Sequence, residues 1–166
     1  MQPSSDLHEF IEQLLRPQPY RVFCQHLRKE FNAKRFESLI ADLFREMGAN
    51  IIPRPPGPDE AIDFLCETPE GEIVVQCKKW KAKVGVPTVR EVFGAAMQRH
   101  AKGAVIVTTS EFTDPAKEFS IDLRIPLRLI DGKELFDLMN QYMPAFVEDI
   151  LNKNSRYFNP PYLPLE

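Results

Sequence analysis

The chain has 166 residues, of which 43% are hydrophobic, 27% charged and 10% aromatic, and its formal net charge is −3. This composition is typical of a globular protein of one domain and excludes disordered and fibrous classes. No apolar run approaches the roughly 18 residues of a membrane span, and acidic residues interrupt the N-terminal apolar positions, so neither a membrane segment nor a signal peptide is expected. The three cysteines form no CxxC motif, which favours reduced thiols in a cytoplasmic protein.

Basic residues are concentrated in one part of this acidic chain. Between Lys78 and Lys102 there are seven lysines and arginines and one acidic residue, Glu91. A local basic stretch suits a protein that grips phosphate at one place, whereas the overall charge argues against one that coats nucleic acid. The alternative interpretation is a solvated surface face.

Hydrophobic periodicity predicts three helices before the first strand, over residues 6–16, 20–31 and 34–47. Gly48 is a typical residue at which the third of them would end. The first part of the chain is therefore predicted to be entirely helical.

The remainder of the chain alternates strands with helices. Strands are predicted near Ile51, over 62–67, 72–78, 103–109 and 127–130, and helices from the Thr88–Glu91 capping box, from Thr113, from the N-cap Asp131 and after Pro144. Thr108, Thr109 and Ser110 end a buried strand, where hydroxyls commonly satisfy backbone groups. This order predicts an α/β domain with a mixed central sheet.

Two of the strands are predicted to form a hairpin around the four-residue loop 68–71. If Glu67 pairs with Glu72, the register sets Asp63 opposite Gln76. One face is then wholly apolar and carries Ile62, Phe64, Cys66, Ile73, Val75 and Cys77. A shift of one residue would bury the charge of Asp63 among them, so the register is well specified.

The other face of the hairpin ends in a carboxylate, an amide and an ammonium group. Asp63 can offer its carboxylate, Gln76 its side-chain carbonyl and Cys77 its main-chain carbonyl to a hard divalent cation such as Mg²⁺. Lys78 can hold or deprotonate the attacking water, or neutralise charge that grows on phosphorus. Glu37 on the preceding helix can add a second carboxylate through water. The alternative is a structural pair of Asp63 and Lys78 with Gln76 exposed.

These residues match a known signature. Asp63 followed by Gln76-Cys77-Lys78 resembles the Gln-x-Lys variant of the PD-(D/E)xK nucleases, and the surrounding segments resemble the Mrr-type restriction endonucleases. The similar segments run in order from about Phe36 to Leu138 and read RFESLIADLFREMG, DEAID, VVQCKKWK, VGVPTVREVFGA, GAVIVTTSEFTDPAKEF and LRLIDGKEL.

The resemblance implies a restriction-endonuclease-like core (αβββαβ) with extra N-terminal helices and a C-terminal helix and tail. It also implies metal-dependent DNA cleavage with Mg²⁺, or Mn²⁺ as a substitute. The catalytic positions fall on Asp63, Gln76 and Lys78, and Glu37 matches the helix glutamate that assists the metal site. From the basic stretch, the candidates for contact with DNA are Lys79, Trp80, Lys81, Lys83 and Arg90. For Trp80 the sequence favours an anchor of its loop to the core over stacking on a base or sugar.

The chain departs from the family pattern in two ways. Relatives usually have Asp-Gly-Gly-Ile-Asp before the catalytic position, where this chain has Asp59-Glu60-Ala61-Ile62-Asp63, with less backbone freedom. About 32 residues precede the matched region, too few for a winged-helix domain. The expected division is a helical extension at 1–32, a nuclease domain at 33–143, and a helix with an aromatic, proline-rich tail at 144–166.

The leading functional hypothesis is a metal-dependent DNA endonuclease that acts in restriction or defence against foreign DNA. The alternatives are a DNA-binding or scaffold module on a nuclease fold, and an effector nuclease that a partner activates. Besides DNA, the expected partners are a second copy or a larger assembly, or a separate subunit that recognises DNA or activates cleavage.

Overall fold

The structure is a computed structural model that describes residues 3–53 and 61–154. The chain order within these ranges is α1 (Pro3–Leu15), α2 (Pro19–Glu30), α3 (Ala33–Glu46), β1 (Asn50–Pro53), β2 (Phe64–Thr68), β3 (Gly71–Lys78), α4 (Val86–Gln98), β4 (Gly103–Thr108), α5 (Asp114–Phe119), β5 (Leu127–Ile130), α6 (Gly132–Tyr142) and α7 (Pro144–Lys153). This is the predicted order of helices and strands. The predicted tail and the Glu60 position lie outside the described residues.

The five strands form one mixed sheet in the spatial order β1-β2-β3-β4-β5. The first three are antiparallel, and Pro69 and Glu70 connect β2 to β3. The last three are parallel, because α4 and α5 serve as crossover connections. The predicted α/β fold with a mixed sheet is therefore confirmed.

The register of the hairpin is the predicted one. Glu67 pairs with Glu72, and the ladder runs to Phe64 opposite Val75. The sequence predicted that Ile62 lies on the same face as Phe64, but in the structure the two side chains lie on opposite faces of the sheet. The chain bends at Asp63, before the first residue of β2, and this bend turns Ile62 towards the opposite side of the sheet.

Two hydrophobic clusters cover the two faces of the sheet. The larger one joins one sheet face to α2, α3, α6 and α7, and Phe23 and Leu27 of α2 are fully buried in it. The smaller one joins the other face to α4 and α5. The predicted extension at residues 1–32 thus contributes α2 to the core, whereas α1 exposes its apolar side chains Leu7, Phe10, Ile11, Leu14 and Leu15.

Most of the residues predicted to begin or end a helix do so in the structure. Gly48 adopts a φ of 96° just after α3, a conformation that favours glycine. Thr113 and Asp131 cap α5 and α6 by accepting hydrogen bonds from main-chain N–H groups. The capping box predicted at Thr88 is wrong, because α4 begins earlier, at Val86, with a proline in its first turn and no side-chain cap.

One end of the sheet brings together the chain positions that matter for function. The carboxyl ends of β3, β4 and β5, at Lys78, Thr108 and Ile130, lie beside the amino end of β2, at Phe64. We call this end of the sheet the carboxyl edge. Among the helices of the described ranges, none has the length and apolar character to cross a membrane.

Candidate active site

The hairpin holds Asp63 against the adjacent strand at the carboxyl edge. Its main-chain N–H donates to the carbonyl of Val75 at 2.9 Å. Its carboxylate oxygen Oδ2 accepts a hydrogen bond of 2.6 Å from the main-chain N–H of Cys77. A charge-assisted bond of this length fixes the orientation of the carboxylate without using its second oxygen.

A second carboxyl group lies against Asp63. Glu37 of α3 lines the same cavity as Asp63, close enough for its carboxyl group to act on that of Asp63. Burial is the main reason that the pKa of Asp63 is raised to about 7, and the charge and hydrogen bond of Glu37 raise it further, while Cys77 N–H and the Lys78 ammonium oppose the shift. A cation bound at this site would therefore compete with a proton for Asp63.

Gln76 is buried, with 5% of its surface exposed, so the alternative with an exposed Gln76 is wrong. Its side-chain oxygen Oε1 has no hydrogen-bond donor within the described ranges. A buried oxygen without a partner costs about 1–3 kcal/mol. The main-chain carbonyl of Cys77 lies on the same side of β3 as its N–H, the side that faces Asp63.

These oxygen atoms fit a hard divalent cation. No group of three or more His, Cys, Asp or Glu side chains is placed to hold a metal ion in residues 3–53 and 61–154. A cation at this site would therefore need neutral oxygens beside Asp63 and Glu37, and the unpaired Oε1 of Gln76 is such an oxygen. A cavity of about 670 Å³ between α3 and the hairpin gives access to both carboxyl groups.

Lys78 is the last residue of β3 and is half-buried. Its ammonium nitrogen lies 4.8 Å from the ring centroid of Trp80, which places the charge over the aromatic face. Trp80 is 40% exposed and absent from both hydrophobic clusters, so the structure does not support the interpretation in which it anchors the loop to the core. Its ring instead positions the lysine.

Three consecutive hydroxyl side chains hold the loop that follows Lys78. Thr108, Thr109 and Ser110 donate to the main-chain carbonyls of Lys78, Trp80 and Lys81 at 2.7, 2.9 and 2.9 Å. The predicted role, satisfaction of backbone groups, is confirmed. The sequence did not reveal that these carbonyls belong to the lysine-bearing loop, because that depends on the parallel pairing of β3 with β4.

The remaining candidates for DNA contact have different surroundings. Lys79 donates from Nζ to the carbonyl of Arg28 at 2.8 Å, at the end of α2. Lys83 forms an ion pair of 3.7 Å with Glu111, while Arg90 lies over the ring of Phe119. Lys81 is exposed. The basic stretch is thus not one uniformly solvated surface, because Lys79, Lys83 and Arg90 contact other residues of the protein.

The family model described as "Restriction endonuclease" (Mrr_cat) matches residues 28–139, about two thirds of the chain. The matched region contains every residue of the candidate site.

Individual proteins are similar to the chain over most of its length. A type IV methyl-directed restriction enzyme of Escherichia coli strain K12, EcoKMrr, is 28% identical over 145 residues, which cover 82% of this chain and 45% of that protein. The DNA modification-dependent restriction endonuclease AspBHI has a similar structure, with a TM-score of 0.60 and 20% identity over 86% of this chain and 42% of its own. The chain spans less than half the length of both.

A third similar structure is that of the MspJI restriction endonuclease in complex with a 27-mer oligonucleotide. Its TM-score is 0.54, with 23% identity over 84% of this chain and 38% of its own. At these identities the two structural similarities show a common fold.

Proposed function

The chain belongs to the restriction endonuclease family, and on this premise we propose that it hydrolyses DNA phosphodiester bonds with a divalent cation, in restriction of or defence against foreign DNA. The observation that carries the proposal is the placement of Asp63 between the N–H of Cys77 and the carboxyl group of Glu37. The similarity to a methyl-directed restriction enzyme supports DNA as the substrate.

We assign the cation to Asp63, Gln76 and the main-chain carbonyl of Cys77, with Mg²⁺ as the natural ion and Mn²⁺ as a substitute. When bound, such an ion would neutralise negative charge on the phosphate and would lower the pKa of a water molecule. Asp63 contributes the negative charge, and the hydrogen bond from Cys77 keeps its carboxylate in place. Glu37 adds a second carboxyl group beside Asp63, which could act on the cation through water.

Lys78 carries the positive charge that this chain itself brings to the reaction. Its ammonium group can donate hydrogen bonds to an attacking water or to a phosphate oxygen on which negative charge develops. The Trp80 ring and the hydroxyl of Thr108 keep the ammonium and the backbone of Lys78 in position before DNA binds. Such preorganisation reduces the reorganisation needed during the reaction.

A plasmid assay tests this proposal. Supercoiled DNA incubated with the purified protein should be converted to nicked circles or linear molecules in Mg²⁺ or Mn²⁺ and should stay intact in EDTA. The ratio of nicked to linear product reports whether one or two active sites act together, as a dimer or larger assembly would allow. DNA binding in EDTA without cleavage in either metal would favour the binding or scaffold alternative instead.

A further inference from the structure

A second cavity, of about 370 Å³, opens at the carboxyl edge of the sheet. It lies beyond the ends of β4 and β5, where Thr109 and Asp131 follow these strands, and α2 forms its far wall. Neighbouring strands are about 4.8 Å apart, so β5 lies about 10 Å from β3, which carries Lys78. A nucleic acid strand at the active site could therefore reach this cavity.

The cavity is positively charged although the whole chain is acidic. Five basic side chains and two acidic ones line it, which leaves three net positive charges on a chain whose net charge is −3. The basic side chains are Arg21, Arg28, Lys81, Lys83 and Lys133. Of the acidic ones, Asp131 accepts a hydrogen bond from the N–H of Glu134, while Glu111 forms its ion pair with Lys83.

Hydrogen bonds make the floor of this cavity rigid. Arg28 donates from Nη1 to the carbonyl of Thr109 at 2.9 Å, and the N–H of Gly132 donates to the carbonyl of Ser110 at 2.8 Å. Ser110 in turn holds the carbonyl of Lys81. The same segment, 108–110, thus supports both the lysine-bearing loop of the active site and the floor of the cavity.

Arg21, Lys81 and Lys133 are exposed and have no ion-pair partner in the described parts of the chain, and of these three Arg21 and Lys133 lie outside the basic stretch. The guanidinium of Arg21 lies 5.3 Å from the ring centroid of Tyr20, a residue that also lines the cavity. Planar guanidinium and ammonium groups are the usual partners of phosphate oxygens. The preferred ligand class is therefore a phosphate group.

We propose that this basic cavity binds a backbone phosphate of the DNA strand that occupies the active site. The inference rests on the proposed function. A separation of about 10 Å between β3 and β5 is short on the scale of a nucleic acid strand, so the bound phosphate would be a near neighbour of the one that is cleaved. The cavity is also large enough for a free mononucleotide, which is the competing ligand of the same chemistry.

Binding of a fluorescent DNA duplex in EDTA, measured at a series of salt concentrations, tests the inference without cleavage. The double variant Arg21→Ala/Lys133→Ala should bind more weakly, and its slope of log affinity against log salt should be smaller by about one to two. The matched control is Lys102→Ala/Arg124→Ala. It removes the same charge from exposed residues just before β4 and β5, at the opposite end of the sheet, and should keep the wild-type slope.

Equal slopes for the two double variants would overturn the inference. So would calorimetry that detects AMP in the wild-type cavity, loses it in Arg21→Ala/Lys133→Ala, and shows no displacement by the duplex. The plasmid assay separates the two proposals: cleavage that persists alongside equal slopes rejects the cavity as a DNA site but leaves the proposed function standing. A wild-type protein that binds no DNA contradicts both.

Discussion

The side-chain hydroxyl of Thr108 donates a hydrogen bond of 2.7 Å to the main-chain carbonyl of Lys78. Thr108 is fully buried at the end of β4 and pairs with Lys78 across the parallel ladder. The hydroxyl also accepts from the N–H of Ser110 at 3.1 Å. Thr108 thus acts as a positioning residue, because its hydroxyl fixes the main chain of Lys78, the last residue of β3.

Replacement of Thr108 by valine should impair catalysis more than binding. Valine has the same shape but lacks the hydroxyl, so stability should fall by about 1 kcal/mol and the lysine should lose its fixed position. We expect kcat to fall by about tenfold or more with little change in KM, since small displacements of catalytic groups are costly. Thr108→Ser restores the hydroxyl and should recover kcat. Equal kcat values for all three proteins would show that this bond has no catalytic role.

Replacement of Gln76 by glutamate should make the thermal stability of the protein more dependent on bound metal. A third carboxyl group beside Asp63 and Glu37 increases repulsion in the metal-free protein, so its thermal midpoint should lie below that of the wild type. Saturating Mg²⁺ or Mn²⁺ should raise the midpoint of the variant by more than it raises that of the wild type, whose site should bind metal weakly without DNA. Gln76→Leu is the control that removes the oxygen. Tight Mg²⁺ binding by the free wild-type protein, seen by calorimetry, would contradict this assignment.

The hairpin shows how far the sequence alone could predict the site. The predicted turn at 68–71 and the alternation of apolar residues indicate the pairing of Glu67 with Glu72, and the structure has that register, with Thr68 and Gly71 paired as well and Pro69 and Glu70 between the strands. The position of Ile62 was not predictable from alternation, because the bend at Asp63 ends the regular pattern. The hydrogen bond from Lys79 to Arg28 depends on how α2 packs against the sheet, which local patterns do not reveal.

The basic stretch should contribute less to DNA binding than its number of charges indicates. The triple variant of Lys79, Lys81 and Lys83 to alanine should reduce the slope of log affinity against log salt by about one to two rather than three, because Lys79 is bonded to Arg28 and Lys83 is paired with Glu111. Lys79→Ala alone should keep the wild-type slope but lower the thermal midpoint. A full loss of three would show that all three lysines contact phosphates.

Acid should weaken the packing of α7 through His26. Asn154 donates from Nδ2 to the carbonyl of Ile150 at 2.7 Å and lies 3.0 Å from Nδ1 of His26, so this ring nitrogen accepts and must be unprotonated. The pKa of His26 is lowered, mainly by burial, with Lys153 and Arg35 acting in the same direction and Glu30 and Asp149 opposing it.

The sign of this effect follows from proton binding. A lowered folded-state pKa means that the folded protein binds fewer protons than the unfolded one, so the contribution is complete above about 6.5 and is lost as pH falls through the folded-state value. Asp63, whose pKa is raised, has the opposite effect on stability. The thermal midpoint should therefore fall more on acidification for wild type than for His26→Phe, which keeps the ring beside Phe31. Identical pH profiles would exclude His26 as the cause.

The measurement that tests the central claim most directly is cleavage of supercoiled plasmid in Mg²⁺ by Asp63→Ala and Lys78→Ala, beside Lys102→Ala as a control for loss of one exposed lysine. Both site variants should fold, because neither side chain belongs to the hydrophobic clusters. We predict that each abolishes cleavage while Lys102→Ala cleaves at the wild-type rate. Cleavage by folded Lys78→Ala at the wild-type rate would contradict the assignment of the active site.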